Sequence, residues 1–408
     1  MSESEYGFIA RPFEDSFRYP MRGRKPEWQR LKELIETALR EHGTKTILVI
    51  GDYGYGKSFT LEKIAAAFSG SRKAIFASIR LAESEPEARI GLSLVTKIFY
   101  QIGRERLVHI ASKISTRNIG SLQTELRSAL RALKHVDTCE IGYRFLIGES
   151  LAPDEKKKIG VRKILSSSRV AIGILYDFQK ALKSAGYDNL VLLIDEFEYV
   201  VNVYSEKQVT TILHTFKEIY DEYIREELRG VEMANFIFII AMTPRGWDYL
   251  TETEAKLARK TGGGGITPWM ERIRSEWNRV DLEPLSKPDV VNLIQDRIEE
   301  NRKEYFKPPF KTFPFIHPEF FDVIYDASEG VPRYVVQYSD LILKEAFRER
   351  LKEISGDAAR QVLQRFDVLP QKPLETSGKK KAGRDRPERG LAGETAASVQ
   401  PDESGRGV

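Results

Sequence analysis

Thr46-Ile47-Leu48-Val49-Ile50-Gly51-Asp52-Tyr53-Gly54-Tyr55-Gly56-Lys57-Ser58-Phe59 opens on an apolar, β-branched run that stops at a glycine. A run of that kind reads as a short buried strand. From Gly51 to Ser58 the residues satisfy G-x-x-x-x-G-K-[ST], and from Ser58 to about Phe68 the apolar spacing becomes helical. Strand, glycine-rich loop and helix in that order form a P-loop, the main-chain cradle for phosphate. Glycines let the backbone approach an anion, while loop N–H groups and the positive end of the following helix surround it. The spacing therefore gives Gly51, Asp52, Tyr53, Gly54, Tyr55, Gly56, Lys57, Ser58 and Phe59 to a nucleoside triphosphate. Lys57 would reach the β- and γ-phosphates, and the Ser58 hydroxyl would ligate Mg²⁺.

Outward from this loop, helices and strands alternate. Glu27 to Glu41 has helical apolar spacing, a strand is expected near Ala74 to Ile79, and a helix from Glu87 to about Arg104. Further strands are expected at Leu190 to Ile194, Phe236 to Met242 and Arg279 to Leu282. These strands are continuously apolar, as parallel strands covered on both faces are. After Pro284 the pattern turns helical throughout, at Lys287 to Arg302, Pro318 to Ala327, Pro332 to Arg350 and Gly356 to Gln364. The organisation this predicts has three parts. Residues 1–283 hold an N-terminal segment and a nucleotide-binding α/β domain with a basic helical insertion at about 104–169; residues 284–366 form a small helical lid. Residues 367–408 are rich in Gly, Pro, Ser, Lys and Glu, a composition that cannot offset its ordering entropy, so a disordered tail is expected.

A second acidic half-site follows from Leu190-Val191-Leu192-Leu193-Ile194-Asp195-Glu196, an apolar strand that delivers two carboxylates at its end. Alone, that pattern is a common strand end; beside a P-loop it is the Walker B arrangement. Asp195 would orient Mg²⁺ through its water shell and Glu196 would polarise the attacking water. The next strand ends at Thr243, a polar tip residue placed to hydrogen-bond that water or the γ-phosphate, or simply to start a turn. Arg272 and Arg274, in WMERIRSEW, are candidates for an arginine finger supplied to a neighbouring subunit. Arg333, opening a helix in Gly330-Val331-Pro332-Arg333, is a candidate phosphate sensor.

Composition excludes several other classes. Apolar residues make up 41% and charged residues 30% of 408, ordinary globular usage. No apolar run approaches the roughly 18 residues that span a bilayer, and the acidic, aromatic N-terminus lacks a signal-peptide pattern, so no membrane partner and a cytoplasmic location are expected. One cysteine and five scattered histidines give neither a disulfide framework nor zinc-ligand spacing, so any metal should be held by oxygen. The net charge is only +4, but Arg104 to Arg169 carries 14 Lys or Arg against 7 Asp or Glu, leaving the remainder net negative. That segment is a solvated helical face or a track for a phosphate backbone.

The order of P-loop, LLIDE, polar strand tip, ERIRS and GVPRY before a helix resembles the AAA+ ATPases, in particular the origin-recognition and Cdc6-like initiators, over roughly residues 15 to 366. Met21-Arg22-Gly23-Arg24 is similar to the segment that contacts adenine in that group. Phe145-Leu146-Ile147-Gly148-Glu149, Ile159-Gly160, Ala185-Gly186-Tyr187 and Asp195-Glu196-Phe197-Glu198 resemble the prokaryotic P-loop ATPases that include the ATP-binding protein of BREX phage-defence systems. The resemblance implies an α/β AAA+ fold with a five-stranded parallel sheet and a helical lid, ATP and Mg²⁺ as cofactors, and a homo-oligomer with nucleotide at subunit interfaces. Two departures stand out. Initiators carry a winged-helix domain after the lid, where this chain has its low-complexity tail, and they usually place Asn where this chain has Thr243.

The expected function is an ATPase that uses Mg-ATP to control assembly on, or remodelling of, DNA, in replication, repair, transposition or phage defence. DNA contact would be non-sequence-specific, through residues 104–169. The alternative is a slow nucleotide-gated switch or scaffold that recruits a helicase or nuclease. A signalling NTPase of the STAND type would bring sensor repeats, and the chain has no internal repeat.

Overall fold

The computed structural model describes residues 8, 11–13, 19–71, 73–80, 90–162, 165, 167–197, 206–261, 270, 273, 278–302, 316–351 and 353–369. Helix α1 (Lys25–Arg40) turns Leu31, Ile35 and Ala38 inward, and β1 (Lys45–Ile50) follows it. The P-loop leads into α2 (Lys57–Phe68), then β2 (Ala74–Arg80) and α3 (Ile90–Ile102). Gly103 then breaks the single helix expected to reach Arg104: at φ 80° it ends α3 and begins α4 (Arg104–Lys113). The basic segment continues as α5 (Thr116–Gly120), α6 (Thr124–Leu133), α7 (Val136–Leu146) and α8 (Pro153–Ile159). After it come α9 (Ser168–Ser184), β3 (Asn189–Asp195), α10 (Glu206–Leu228), β4 (Asn235–Met242), α11 (Pro244–Thr261) and β5 (Arg279–Asp281).

The five strands make one parallel sheet in the order β2-β3-β4-β1-β5. Their continuous apolar character has a simple cause: alternate residues serve two different cores. Leu48, Ile50, Leu192, Ile194, Phe238 and Ile240 point into a core shared with α3, α9 and α10. Ile47, Val49, Val191, Leu193, Ile237 and Ile239 point into the other, against Leu31 and Ile35 of α1 and Leu61 and Ile64 of α2. Burying a branched aliphatic side chain contributes about 1.5–3 kcal/mol, so every position of β3 and β4, and all but the first of β1, is under burial constraint, whereas β2 and β5 at the sheet edges keep exposed positions at Ser78, Arg80 and Asp281. Helices α4 to α8 share the first core through Leu107, Ile110, Leu126, Leu130, Phe145 and Leu146, all 2% exposed or less.

The C-terminal part is helical: α12 (Lys287–Glu300), α13 (Pro318–Ser328), α14 (Pro332–Glu349) and α15 (Gly356–Arg365). Its core, around Val290, Ile294, Phe320, Val335 and Leu363, also takes in Phe8 and Phe13 from the N-terminal segment. That segment is held to α12 by Arg22, whose Nε lies 2.8 Å from Asp296. The tail expected from residue 367 lies, beyond residue 369, outside the described residues. Among the described residues no helix is long and apolar enough to cross a membrane.

Candidate functional site

Strand order places three strand tips side by side: β1 carries the P-loop, β3 carries Asp195 and Glu196, and β4, between them, ends at Thr243. Crevices outside the carboxyl ends of parallel strands are where ligands bind in open α/β sheets. The base of the loop is fixed on both sides, since Gly51 N–H donates to Met242 O (3.2 Å) and Leu282 N–H to Ile50 O (2.6 Å). Gly54 and Gly56 adopt φ of 83° and 90°, and Gly56 occupies the position just before α2. Lys57 is 8% exposed; its ammonium donates to Gly51 O at 2.8 Å and Asp52 O at 3.3 Å and lies 5.4 Å from the Tyr53 ring centroid.

Asp195 is 7% exposed, and its Oδ1 accepts the Glu196 N–H at 2.9 Å. Glu196 sits at φ 56°, a left-handed conformation that costs a non-glycine residue of order 1 kcal/mol. The next residue holds it there: Phe197 is fully buried against Phe216 and its N–H donates to Ala241 O. The kink turns Glu196 off the strand line and into a cavity of about 640 Å³, which Lys57, Ser58 and Asp195 also line. Ser58 and Asp195 supply a hydroxyl and a carboxylate, the hard oxygen donors that Mg²⁺ accepts alongside water and phosphate oxygens. The donor set thus fits the cation.

The same cavity runs from the loop to the helical part, where Phe13, Met21, Leu293 and Val336 give it an apolar end. Its size is ordinary for a small-ligand site. Arg333, exposed, lines it at the start of α14; its main-chain N–H, an orphan first-turn donor, donates to Gly54 O at 3.1 Å. Glycine is required on both sides of this junction: a Cβ at Gly54 would fall 2.9 Å from Val331 Cγ1, and one at Gly330 only 2.2 Å from Leu285 O.

Of the sequence-derived residues, Tyr53 to Phe59, Asp195, Glu196 and Arg333 line this one cavity, and Gly51 and Asp52 meet it through the Lys57 ammonium. Thr243 is buried at the tip of the intervening strand, where its Oγ1 accepts the Gly246 N–H at 3.2 Å and so caps α11. Arg272 and Arg274 lie outside the described residues.

Two arginines gain a place that spacing did not assign. Arg24, 4% exposed, donates through Nη2 to Tyr55 O (2.9 Å) and Glu283 O (2.6 Å), tying the P-loop to the connection into the helical part. Burial pulls its guanidinium below the usual range, and the Glu27 carboxylate opposes the shift. Arg297, also 4% exposed, lines the apolar end with its guanidinium carbon 4.4 Å from the Tyr19 ring centroid. Its sequence signal is an arginine on the inward stripe of Val290, Leu293, Ile294 and Ile298.

In the basic segment, several charges are used internally. Arg104 pairs with Glu140, Arg144 with Glu149 and Glu155, and the Lys134 and Lys158 ammonium groups donate to Ile114 O and Asp137 O.

Residues 20–212 match the family model described as AAA ATPase domain. No curated protein sequence matches the chain. Among solved structures, the Aeropyrum pernix ORC2 protein, solved as ADPNP–ADP complexes, superposes with a TM-score of 0.50 at 15% identity, over 88% of this chain and 72% of that one. Cdc6p from Pyrobaculum aerophilum gives 0.46 at 14% identity over 91% and 73%, and the Aeropyrum pernix ORC1 protein in complex with DNA gives 0.43 at 14% over 88% and 70%. With the P-loop and the acidic strand tip meeting in one cavity, residues 20–212 carry an AAA ATPase domain, and the chain has an AAA+ fold of the kind seen in the origin-recognition structure.

Proposed function

We propose that the chain binds Mg-ATP in the 640 Å³ cavity and hydrolyses it to control assembly on, or remodelling of, DNA. The observation that carries this reading is the meeting of Lys57 and Ser58 with Asp195 and Glu196 in a single cavity whose far end is apolar. A triphosphate fits the loop, and a purine fits between the N-terminal segment and the helical part, which then acts as a lid. Mg²⁺, held by Ser58 and Asp195, supplies charge neutralisation along the phosphates. Lys57 exchanges its carbonyl partners for β- and γ-phosphate oxygens, a charge-assisted contact. Glu196 accepts the proton of the attacking water, general-base work worth typically 10²–10⁴-fold in rate. Arg333 approaches the phosphates from the lid side, and Arg272 or Arg274 serves the site of a neighbouring subunit. The DNA-facing charge belongs to residues 104–169.

The test is nucleotide binding by calorimetry alongside phosphate release. Lys57→Ala should weaken ATP binding on the order of 10–100-fold, the worth of a charged hydrogen-bonded contact. Glu196→Gln should bind ATP within a few-fold of wild type and lose at least two orders of magnitude in turnover. Unchanged binding in the Lys57 variant ends this assignment of the site.

One observation favours a second reading, a slow nucleotide-gated switch that recruits a helicase or nuclease. The Thr243 oxygen is engaged in capping α11, which weakens its claim to position the attacking water. Hydrolysis confined to a single slow turnover, with no stimulation by DNA, would select that reading.

A further inference from the structure

We infer that a second groove, at the opposite end of the sheet from the P-loop, binds the sugar-phosphate backbone of nucleic acid. It deepens the reading that this chain works on DNA and rests on it. The groove has a volume of about 640 Å³. Arg106, His109 and Lys113 of α4 line one wall; the opposite wall is the Ser69-Gly70-Ser71 turn that ends α2, with Ala74 at the start of β2 as floor. The three basic residues recur at three- and four-residue spacing, so they share one face of α4, and all three are exposed. At 1.5 Å per residue, Arg106 and Lys113 stand about 10 Å apart along the helix, a length of duplex axis over which one DNA strand carries about three phosphates.

The charge here is available, which distinguishes it from much of the basic segment. Arg104, Lys134, Arg144 and Lys158 are committed to internal partners. Among the described residues neither Arg106 nor Lys113 has an ion pair; the Lys113 ammonium lies 5.2 Å from the Tyr187 ring centroid instead. Glu105 lines the groove too, so the cationic excess is modest. Nearby, Lys73 is neutralised by Asp188 at 3.3 Å.

Arg, Lys, Ser and Tyr are the side chains that contact phosphate oxygens, positioning a nucleic acid without reading its bases. An acidic protein partner would look for an apolar anchor, and Ile75 and Tyr187, the large apolar side chains of the lining, are 2% and 8% exposed. The wall formed by the end of α2 adds a functional link. Its first turn holds Lys57 and Ser58, so one rigid helix of 12 residues, about 18 Å long, joins the phosphate cradle to the groove.

The experiment is fluorescence anisotropy of a labelled 25-base-pair duplex titrated with the full chain over a range of KCl concentrations. Each phosphate contact adds about 0.9 to the slope of log K against log salt. Arg106→Gln/Lys113→Gln should lower the slope by about 1.8, while Arg117→Gln/Lys157→Gln, which removes the same charge from exposed positions of α5 and α8, should change it by less than half as much. Binding of an ATP analogue should stay intact in both variants, showing that the fold is preserved. Equal losses in the two variants, or no loss in the first, overturn the groove and leave the DNA reading standing; a wild-type chain that binds no duplex overturns both. Displacement of the duplex by polyglutamate at matched charge also overturns the groove, since an acidic protein would then be its ligand.

Discussion

Thr243 shows how a single side chain can have two claims on it. Its oxygen already caps α11 by accepting the Gly246 N–H, and its strand lies between the one that carries the P-loop and the one that carries the acidic tip, which makes it a candidate to meet the attacking water. The two roles separate by substitution. Thr243→Ala should cost about 1 kcal/mol of stability, the usual worth of a cap, and Thr243→Asn should recover that stability in urea unfolding. If phosphate release by Thr243→Asn matches wild type, the cap accounts for the residue; a variant as stable as wild type but slow in phosphate release gives the threonine hydroxyl a part in catalysis beyond the cap. Gly54 gives a companion case. Gly54→Ala forces a left-handed conformation worth about 1–2 kcal/mol and drives a methyl into Val331 and Arg333. It should lower the melting temperature and weaken nucleotide binding together, because both depend on the loop meeting α14.

Between elements, the structure depends on a few long-range struts. Arg24 bridges the P-loop and the connection at Glu283, so Arg24→Lys, which keeps the charge but loses the planar fork, should cost about 2–4 kcal/mol in urea unfolding, with saturating ATP recovering part of it. Asp188 plays a lesser part where β2 and β3 begin. Hydrogen bonds from Lys183 and Lys73 hold its carboxyl below the ordinary value. A depressed folded-state pKa gives stability that is present above the unfolded value, near 3.9, and is lost as pH falls through the folded one. Asp188→Asn should therefore be destabilised by less than about 1 kcal/mol at neutral pH, since the pair is partly exposed, and should match wild type near pH 2. The two kinds of element differ in how readable they are. The central strands β1, β3 and β4 are legible in the sequence because both of their faces are buried, which leaves a mark on nearly every residue, and the P-loop and Walker B residues are legible because their chemistry fixes type and spacing. The Arg24 contact spans 259 residues and leaves no local mark. Helices α4 to α8 read as a charge run because their exposed faces are basic, although their inner faces complete the sheet's own core.

For the molecule as a whole, the open question is whether one chain completes its own site. Ser58 and Asp195 line a second cavity, of about 590 Å³, together with Arg80 and Lys97. The Ser58 and Asp195 end of the site is therefore approached from two directions: by the helical part of the same chain, and through this second cavity. An arginine supplied by a neighbour needs such an approach, and Arg272 and Arg274 are the candidates to provide it. Complementation decides between cis and trans action. Lys57→Ala has no working site of its own but intact arginines, whereas Arg272→Ala/Arg274→Ala has an intact site and no finger. Finger loss typically lowers turnover by 10³–10⁵-fold, so each protein alone should be nearly inactive. Mixed in equal amounts with Mg-ATP, they should recover a measurable fraction of wild-type phosphate release, rising with total protein concentration as mixed oligomers form. Recovery occurs only if the arginine of one chain serves the nucleotide of the next. A mixture as silent as its components, while sizing shows that the chains still associate, would place the finger within the chain or remove it from the mechanism.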